Sequence, residues 1–80
     1  MPTIELSYFA QLREQANQAS ERIDTNAASL AALYAQLRAR HGFTLPAELL
    51  RVAVNDRFCG WDQPLRDGDN VVFIPPVNGG

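Results

Sequence analysis

The sequence predicts an α+β fold in which a mixed β-sheet packs against one main helix. The chain begins with an alternating apolar pattern, carries one helical apolar stripe in its middle, and continues as short apolar segments separated by turn residues. Its 80 residues, 46% hydrophobic and 20% charged, suffice for one core of ordinary globular composition. We therefore expect a single domain over residues 1–76 and a flexible C-terminal tail over residues 77–80.

The first 25 residues predict a strand, a short helix and a second strand. Residues 3–9 alternate between apolar and polar side chains, as a half-buried strand does. The residues that share its apolar face are Ile4, Leu6 and Tyr8. Phe9 falls on the opposite, polar face. Residues 10–16 follow as a short helix. Residues 20–25 form a weak strand at a sheet edge, because the segment is polar and Ile23 is its only large apolar residue.

The clearest element is a helix over residues 28–41. Its apolar residues recur at the spacing of one buried stripe: Leu30, Leu33, Tyr34 and Leu37. Asn26 or Ser29 can cap the start, since both side chains accept hydrogen bonds from free backbone amides. Basic residues in the last turn and Gly42 after it are typical of a helix end.

The second half of the chain predicts short strands joined by turns. In order, it contains an irregular connection over 43–50 with one helical turn at 47–50, a strand over 51–55, a brief extended piece over 58–61, a turn at 67–69 and a last strand over 70–74. We expect Leu65 to reach the core. This order favours a β-grasp arrangement, in which a mixed sheet wraps around one helix and the first and last strands are adjacent.

Charge and composition restrict the partners and the compartment. The formal net charge is −2, whereas a nucleic-acid-binding protein typically has a basic surface. All seven basic residues are arginines. No apolar segment approaches the roughly 18 residues of a membrane helix, and residues 1–10 lack the pattern of a signal peptide. Cys59 is the only cysteine, so no internal disulfide can form. We expect a cytoplasmic protein without nucleic-acid or membrane partners.

The sequence offers little conventional catalytic material. His41 is the lone histidine and is expected to cap a helix end or lie at the surface. Cys59 is expected to be partly buried and structural, with Arg57 nearby in sequence lowering its pKa slightly. One histidine and one cysteine do not make a metal site, and residues 67–69 lack the ligand spacing of a calcium loop. Such a chain is expected to be a carrier or a substrate of other proteins, and not itself a catalyst.

The C-terminal Gly79-Gly80 is the feature with the most direct chemical use. Two glycines make the thinnest peptide, which fits a narrow slot where a side chain would clash. The terminal carboxyl group is ionised at neutral pH and can attack an activated phosphate. Pro75 and Pro76 restrict the backbone so that the chain leaves the sheet stiffly, and residues 77–80 then extend roughly 13–14 Å. The end of the chain is therefore suited to insertion into a partner.

A docking surface beside this tail is expected from the same alternation. If Val71 and Phe73 face the helix, then Ile74 faces outward near the exit of the tail. Phe9 lies on the outward face of its strand, and Phe58 follows a turn that can bring it to the same surface. We expect Phe9, Phe58 and Ile74 to contact a partner, because exposed apolar patches mark interaction sites.

The chain resembles the MoaD-like sulfur carriers, the small subunits of molybdopterin synthase within the ubiquitin-like β-grasp superfamily. The resemblance covers essentially the whole chain. The segments that carry it are 8–14 (YFAQLRE), 54–55 (VN), 64–69 (PLRDGD) and, most specifically, 73–80 (FIPPVNGG). The family usually has serine or threonine where Asn78 stands, so contacts at that position differ.

The resemblance implies a role for every residue of the tail. A ubiquitin-activating-enzyme-like adenylyltransferase would use ATP to join Gly80 to AMP, and a sulfurtransferase or other sulfur donor would convert this transient adduct to a thiocarboxylate. The tail, with Pro75, Pro76, Val77, Asn78 and Gly79, would insert into the large synthase subunit within a heterotetramer. The sulfur would pass to cyclic pyranopterin monophosphate to build the molybdopterin dithiolene. The small subunit would bind no permanent cofactor or metal, and the catalytic residues would lie on the large subunit.

Three alternatives stay open from the sequence. A β-grasp sulfur carrier for the thiazole of thiamine or for a thiolated tRNA base would share the Gly-Gly end, generally without the Pro-Pro-Val run. A ubiquitin-like modifier would form isopeptide bonds, and the absence of lysine excludes only lysine-linked chains of this protein with itself. An interaction module with an incidental terminus would need no activation of Gly80.

Overall fold

The computed structural model describes residues 1–76, which form five strands, two α-helices and one 3-10 turn. The strands are β1 (Thr3–Tyr8), β2 (Ser20–Asp24), β3 (Arg51–Val54), β4 (Arg57–Cys59) and β5 (Asn70–Ile74). The α-helices are α1 (Ala10–Ala16) and α2 (Leu30–His41), and the 3-10 turn covers Ala47–Leu49. The predicted element order is confirmed, including the helical turn inside the 43–50 connection.

The five strands form one mixed sheet in the order β2-β1-β5-β3-β4. The central pair, β1 and β5, runs parallel, and the other neighbouring pairs are antiparallel. The predicted adjacency of first and last strands is therefore confirmed, as is the edge position of β2. This α+β sheet, with α2 packed on one face, is the β-grasp arrangement that the sequence predicts.

The core lies between α2 and the inner face of the sheet. From the sheet, Ile4, Leu6, Val71 and Phe73 are at most 1% exposed, as the period-two alternation predicts. From the helix, the predicted stripe is buried against them: Leu30, Leu33, Tyr34 and Leu37. Leu65 packs on the periphery of this cluster, as expected. A single apolar cluster thus fixes the orientation of both central strands.

Helix α2 begins two residues later than predicted. Ser29 supplies the N-cap, and its Oγ accepts a hydrogen bond from the backbone amide of Ala32 at 3.3 Å. Asn26 had equal capping chemistry in the sequence, but the chain becomes helical only after Ser29. Gly42 ends the helix with a φ of 72°, the left-handed conformation that glycine adopts without strain.

Strand β1 ends one residue earlier than predicted, at Tyr8, and the extended segment around Phe58 is shorter, since β4 covers only Arg57–Cys59. The predicted turn at 67–69 is confirmed: Asp69 accepts a hydrogen bond from the backbone amide of Arg66 at 2.8 Å.

Within residues 1–76, no helix is long and apolar enough to cross a bilayer, and no cluster of three potential metal ligands occurs.

Candidate functional site

The base of the C-terminal tail lies at the centre of the sheet. Because β1 and β5 are parallel, both end at the same edge, with Tyr8 paired to Phe73. Pro75 and Pro76 follow directly, the first half-buried and the second exposed. Since β5 has a neighbour on each side, its ladder hydrogen bonds hold the exit point of the tail in place.

The outer face of β5 is apolar, as predicted. Val71 and Phe73 point into the core and are fully buried, whereas Val72 and Ile74 point away from α2 and are half-buried. On β3, Ala53 lies opposite Val72 and Arg51 lies opposite Ile74. The outward side chains of these two strands therefore make one continuous surface.

Strand β4 adds an aromatic ring to this surface. Asn55 and Asp56 form a tight turn with positive φ values of 52° and 70°, the conformation that two-residue hairpins require. The turn sets the register that places Phe58 opposite Ala53. The Phe58 side chain is 66% exposed, and the guanidinium carbon of Arg51 lies 5.7 Å from the centre of its ring. This distance is that of a cation–π contact.

Phe9 lies at the other side of the tail. It precedes α1 as the N-cap residue, where its backbone oxygen accepts hydrogen bonds from the amides of Leu12 and Arg13 at 3.1 and 3.4 Å. The chain turns sharply at Ala10, which has a φ of 50°. The Phe9 side chain is 52% exposed. It therefore presents an exposed apolar ring directly after Tyr8, the residue of β1 that pairs with Phe73, although it stands just beyond β1 and not within it.

We call this set of outward residues the exit surface; it consists of Phe9, Arg51, Ala53, Phe58, Val72 and Ile74. A groove of about 400 Å³ adjoins it at the base of the tail. The groove is lined by Leu49, Arg51, Ile74, Pro75 and Pro76. The sequence did not predict that Leu49 and Arg51 line this groove. Leu49 lies on the 3-10 turn and is 53% exposed. Only the pairing register with β5 reveals that Arg51 belongs to this surface.

The remaining outer face of the sheet is polar. Along β1 and β2, Arg22 Nε lies 2.6 Å from Glu5 Oε1, and the Thr3 hydroxyl donates a 2.6 Å hydrogen bond to Asp24. These paired polar groups are typical of a solvated strand edge, which resists unwanted pairing with other chains. The apolar exposed area of this face is thus concentrated where the tail leaves the domain.

His41 has a different environment from the predicted capping or surface role. Its ring packs against Tyr8 and Phe43, and its Nε2 lies 2.8 Å from Glu21 Oε1. The Tyr8 hydroxyl donates a 2.7 Å hydrogen bond to the same oxygen. Burial alone would raise the pKa of Glu21, but the hydrogen bonds from Tyr8 and His41 outweigh it and lower that pKa. Burial, reinforced by Glu21, raises the pKa of Tyr8. This network fastens edge strand β2 to α2.

Cys59 is partly buried, in agreement with the structural role expected for it, but the expected lowering of its pKa is wrong. Burial raises the pKa of the thiol, and the carboxylates of Asp62 and Asp69 act in the same direction. Its side chain faces the core cluster. Cys59 is therefore a poor candidate for a reactive thiolate.

The tail residues Val77, Asn78, Gly79 and Gly80 lie outside the residues that the structure describes. The predicted contacts of Phe9, Phe58 and Ile74 with a partner stay predictions, but the structure brings all three to the exit surface. The described part of the site thus contains the exit surface, a groove and the base of the tail.

Comparison with known proteins agrees with this arrangement. The sequence matches the ThiS family over residues 6–80. It is 35% identical to the molybdopterin synthase sulfur carrier subunit of Escherichia coli, an alignment that covers 96% of this chain and 99% of the relative.

Solved structures extend the comparison to the fold. The putative molybdopterin converting factor subunit 1 of Pyrococcus furiosus superposes with a TM-score of 0.81 at 30% identity, covering 96% of this chain and all of that one. A chain in the complex of subunits 1 and 2 of the molybdopterin-converting factor of Helicobacter pylori superposes with a TM-score of 0.69 at 26% identity. The match covers 98% of this chain and 99% of that one. The chain therefore belongs to the ThiS family and has the ubiquitin-like β-grasp fold of these sulfur carrier proteins.

Proposed function

We propose that this protein is the sulfur carrier subunit of molybdopterin synthase and that Gly80 carries the sulfur as a thiocarboxylate. The observation that carries the proposal is the apolar exit surface around the base of a chain that ends in Gly-Gly. The relation to the E. coli sulfur carrier over nearly the full length of both chains supports the same role. The sulfur carrier for thiamine thiazole or tRNA thiolation and the ubiquitin-like modifier are the competing functions.

The first step is activation of the Gly80 carboxylate. Ionised at neutral pH, it attacks the α-phosphate of ATP on an adenylyltransferase, which forms an acyl adenylate and releases pyrophosphate. Adenylation converts a poor electrophile into a good one. A persulfide sulfur of the donor then attacks the carbonyl carbon, AMP leaves, and a thiol reduces the resulting acyl disulfide, which releases the Gly80 thiocarboxylate and leaves a disulfide on the donor side. ATP is thus a substrate of the activating enzyme, and the AMP on Gly80 is transient.

The second step is transfer of the sulfur. The tail, from Pro75 through Gly80, enters a slot in the large synthase subunit, where the anionic sulfur displaces an oxygen substituent of cyclic pyranopterin monophosphate. Water then hydrolyses the resulting thioester, so that the sulfur stays on the pterin and the Gly80 carboxylate returns. Two such transfers build the dithiolene of molybdopterin. We assign the catalytic acid–base groups to the large subunit, so that this chain brings the sulfur and its position. The working assembly is a heterotetramer in the cytoplasm.

The exit surface has a direct role in this cycle as the docking face. Ile74 precedes the base of the tail directly, and we expect a partner that covers it together with Phe9 and Phe58 to receive the tail as well. The large exposed fraction of the two phenylalanines means that their apolar area is available for docking. Since β5 fixes the base of the tail, that part of the chain needs no ordering on docking, which limits the entropy cost.

The proposal is tested by reconstitution. The thiocarboxylated protein is mixed with purified large subunit and cyclic pyranopterin monophosphate, and molybdopterin is measured. Intact-mass spectrometry confirms that one oxygen of the chain is replaced by sulfur before the reaction and restored after it. The unmodified protein is the matched control. Failure of the thiocarboxylated protein to form molybdopterin would overturn the proposal, and transfer to a thiazole precursor or a tRNA would replace it by the corresponding alternative.

A further inference from the structure

Arg51 is the charged residue of the exit surface, and its neighbours there are apolar. It lies opposite Ile74 in the pairing of β3 with β5, and its guanidinium group lies over the ring of Phe58. It also lines the groove that Leu49 and Pro75 border at the base of the tail. A positive charge therefore stands within the area that a docking partner would cover.

No carboxylate within residues 1–76 forms an ion pair with Arg51. The acidic residues that pair in this part of the chain are Glu5 with Arg22, and Glu21 with Arg40 and His41. Arg51 is exposed in the free domain, where water can hydrate its guanidinium group. A purely apolar partner would remove that water and leave a charge buried without compensation, which is strongly unfavourable.

The geometry also favours a particular acceptor. Guanidinium groups carry five N–H donors in a planar fork that matches the two oxygens of a carboxylate. Arg51 is exposed although its guanidinium carbon lies over the Phe58 ring, so a partner can reach its donors. A carboxylate can accept two of these hydrogen bonds at once, whereas a single carbonyl oxygen satisfies fewer of them.

We infer that Arg51 is a specificity-determining residue of the exit surface, and that the large subunit presents an aspartate or glutamate carboxylate to it. This inference rests on the proposed function, because it names the chemistry of the partner at that same docking face. Phe9, Phe58 and Ile74 supply apolar area that many surfaces could cover. Arg51 rejects those that bring no acidic group to its position.

The first test is binding of charge variants to the purified large subunit. Arg51→Glu reverses the charge at the surface, and Arg57→Glu makes the same change on β4, where the alternation places Arg57 on the opposite face from Phe58. We expect Arg51→Glu to weaken binding by about 30-fold or more and Arg57→Glu by less than about 3-fold. Arg51→Gln should weaken binding and reduce its salt dependence, since the ion pair is lost.

The second test identifies the carboxylate itself. The chain contains no lysine, so Arg51→Lys introduces the only side-chain amine. A carbodiimide joins an amine to a carboxylate in direct contact. Treatment of the complex followed by mass spectrometry should give a cross-link between position 51 and one acidic residue of the large subunit. Arg57→Lys is the control and should give none.

The outcomes separate this inference from the proposed function. Suppose that the wild-type protein binds the large subunit and forms molybdopterin, and that Arg51→Glu and Arg57→Glu have the same dissociation constant for the large subunit. The inference is then wrong and the proposed function stands. A cross-link at position 51 that is absent without the large subunit supports the inference. If wild-type thiocarboxylated protein neither binds the large subunit nor transfers sulfur, both are overturned.

Discussion

Replacement of Phe58 by alanine removes apolar area from the exit surface while leaving the core intact. The side chain is 66% exposed in the free domain, and the guanidinium carbon of Arg51 lies 5.7 Å from the centre of its ring. A phenylalanine buries about 150–250 Å² when fully covered. About two-thirds of that, on the order of 100–165 Å², is therefore available to a partner.

The magnitude follows from this area. At about 25 cal/mol per Å², complete coverage of the Phe58 ring contributes at most about 2.5–4 kcal/mol to docking. Because alanine keeps the β-carbon and coverage is rarely complete, we expect Phe58→Ala to lose about 1.5–3 kcal/mol, or roughly 10-fold to 150-fold in the dissociation constant. The cost in folding stability should stay below about 2 kcal/mol, since only a third of the side chain is buried by folding.

The assay is titration calorimetry with the purified large subunit, accompanied by urea unfolding of each variant. Phe58→Leu is the matched control, because it keeps most of the apolar area and should bind within about 5-fold of wild type. Phe73→Leu changes a fully buried ring on β5 and should lower stability more than binding. If folded Phe58→Ala binds the large subunit as tightly as wild type, Phe58 lies outside the interface and the argument from exposure is wrong.

Further outcomes are expected from the same structure. Deletion of Gly80 should abolish sulfur transfer with unchanged thermal stability; retained transfer would contradict a thiocarboxylate at that residue. Phe9→Ala should weaken large-subunit binding by about 1–2 kcal/mol, and a wild-type dissociation constant would exclude Phe9 from the interface. Glu21→Ala should cost about 2–4 kcal/mol of unfolding free energy at pH 7, because the buried Tyr8 hydroxyl and His41 lose their acceptor, while Glu5→Ala at an exposed pair should cost less than about 1 kcal/mol. Because the folded state lowers the pKa of Glu21, its contribution is complete above the ordinary carboxyl pKa of about 4.3 and is lost as the pH falls through the lowered value. Equal losses for the two variants in urea unfolding at pH 7, or a Glu21→Ala loss that does not shrink towards acid pH, would contradict the role of the network.

The fold could be predicted from the sequence because a buried face requires apolar residues to recur at regular intervals along a helix or a strand. The three-and-four spacing from Leu30 to Leu37 and the alternation from Ile4 to Tyr8 each report one buried face. Element ends were less certain, since Asn26 and Ser29 have the same capping chemistry and only the tertiary path selects Ser29. The β1–β5 pairing was predicted from the arrangement as a whole, because no local propensity encodes which strands meet.

The site was predictable only where it follows from alternation. Ile74 was placed outward by counting from Phe73, and the structure agrees. The sequence did not reveal that Arg51 belongs to the exit surface. Its position there depends on the register between β3 and β5, and this register is set by contacts between distant parts of the chain. The contact of His41 with Glu21 was missed for the same reason, since the two residues lie on different elements.

The position of the tail on a central strand accounts for the apolar outer face of β5, which is the middle of the exit surface. Of the two edge strands, β2 carries polar and charged side chains, which disfavour pairing with other chains, whereas β4 presents the exposed ring of Phe58. Strand β5 is paired on both sides, so its outward residues can be apolar without exposing free backbone groups. A tail extending from an edge strand would lack both this docking face and the second ladder of hydrogen bonds that fixes its direction. The parallel β1–β5 pair therefore places the rigid base of the tail and the apolar rings beside it within reach of one partner surface.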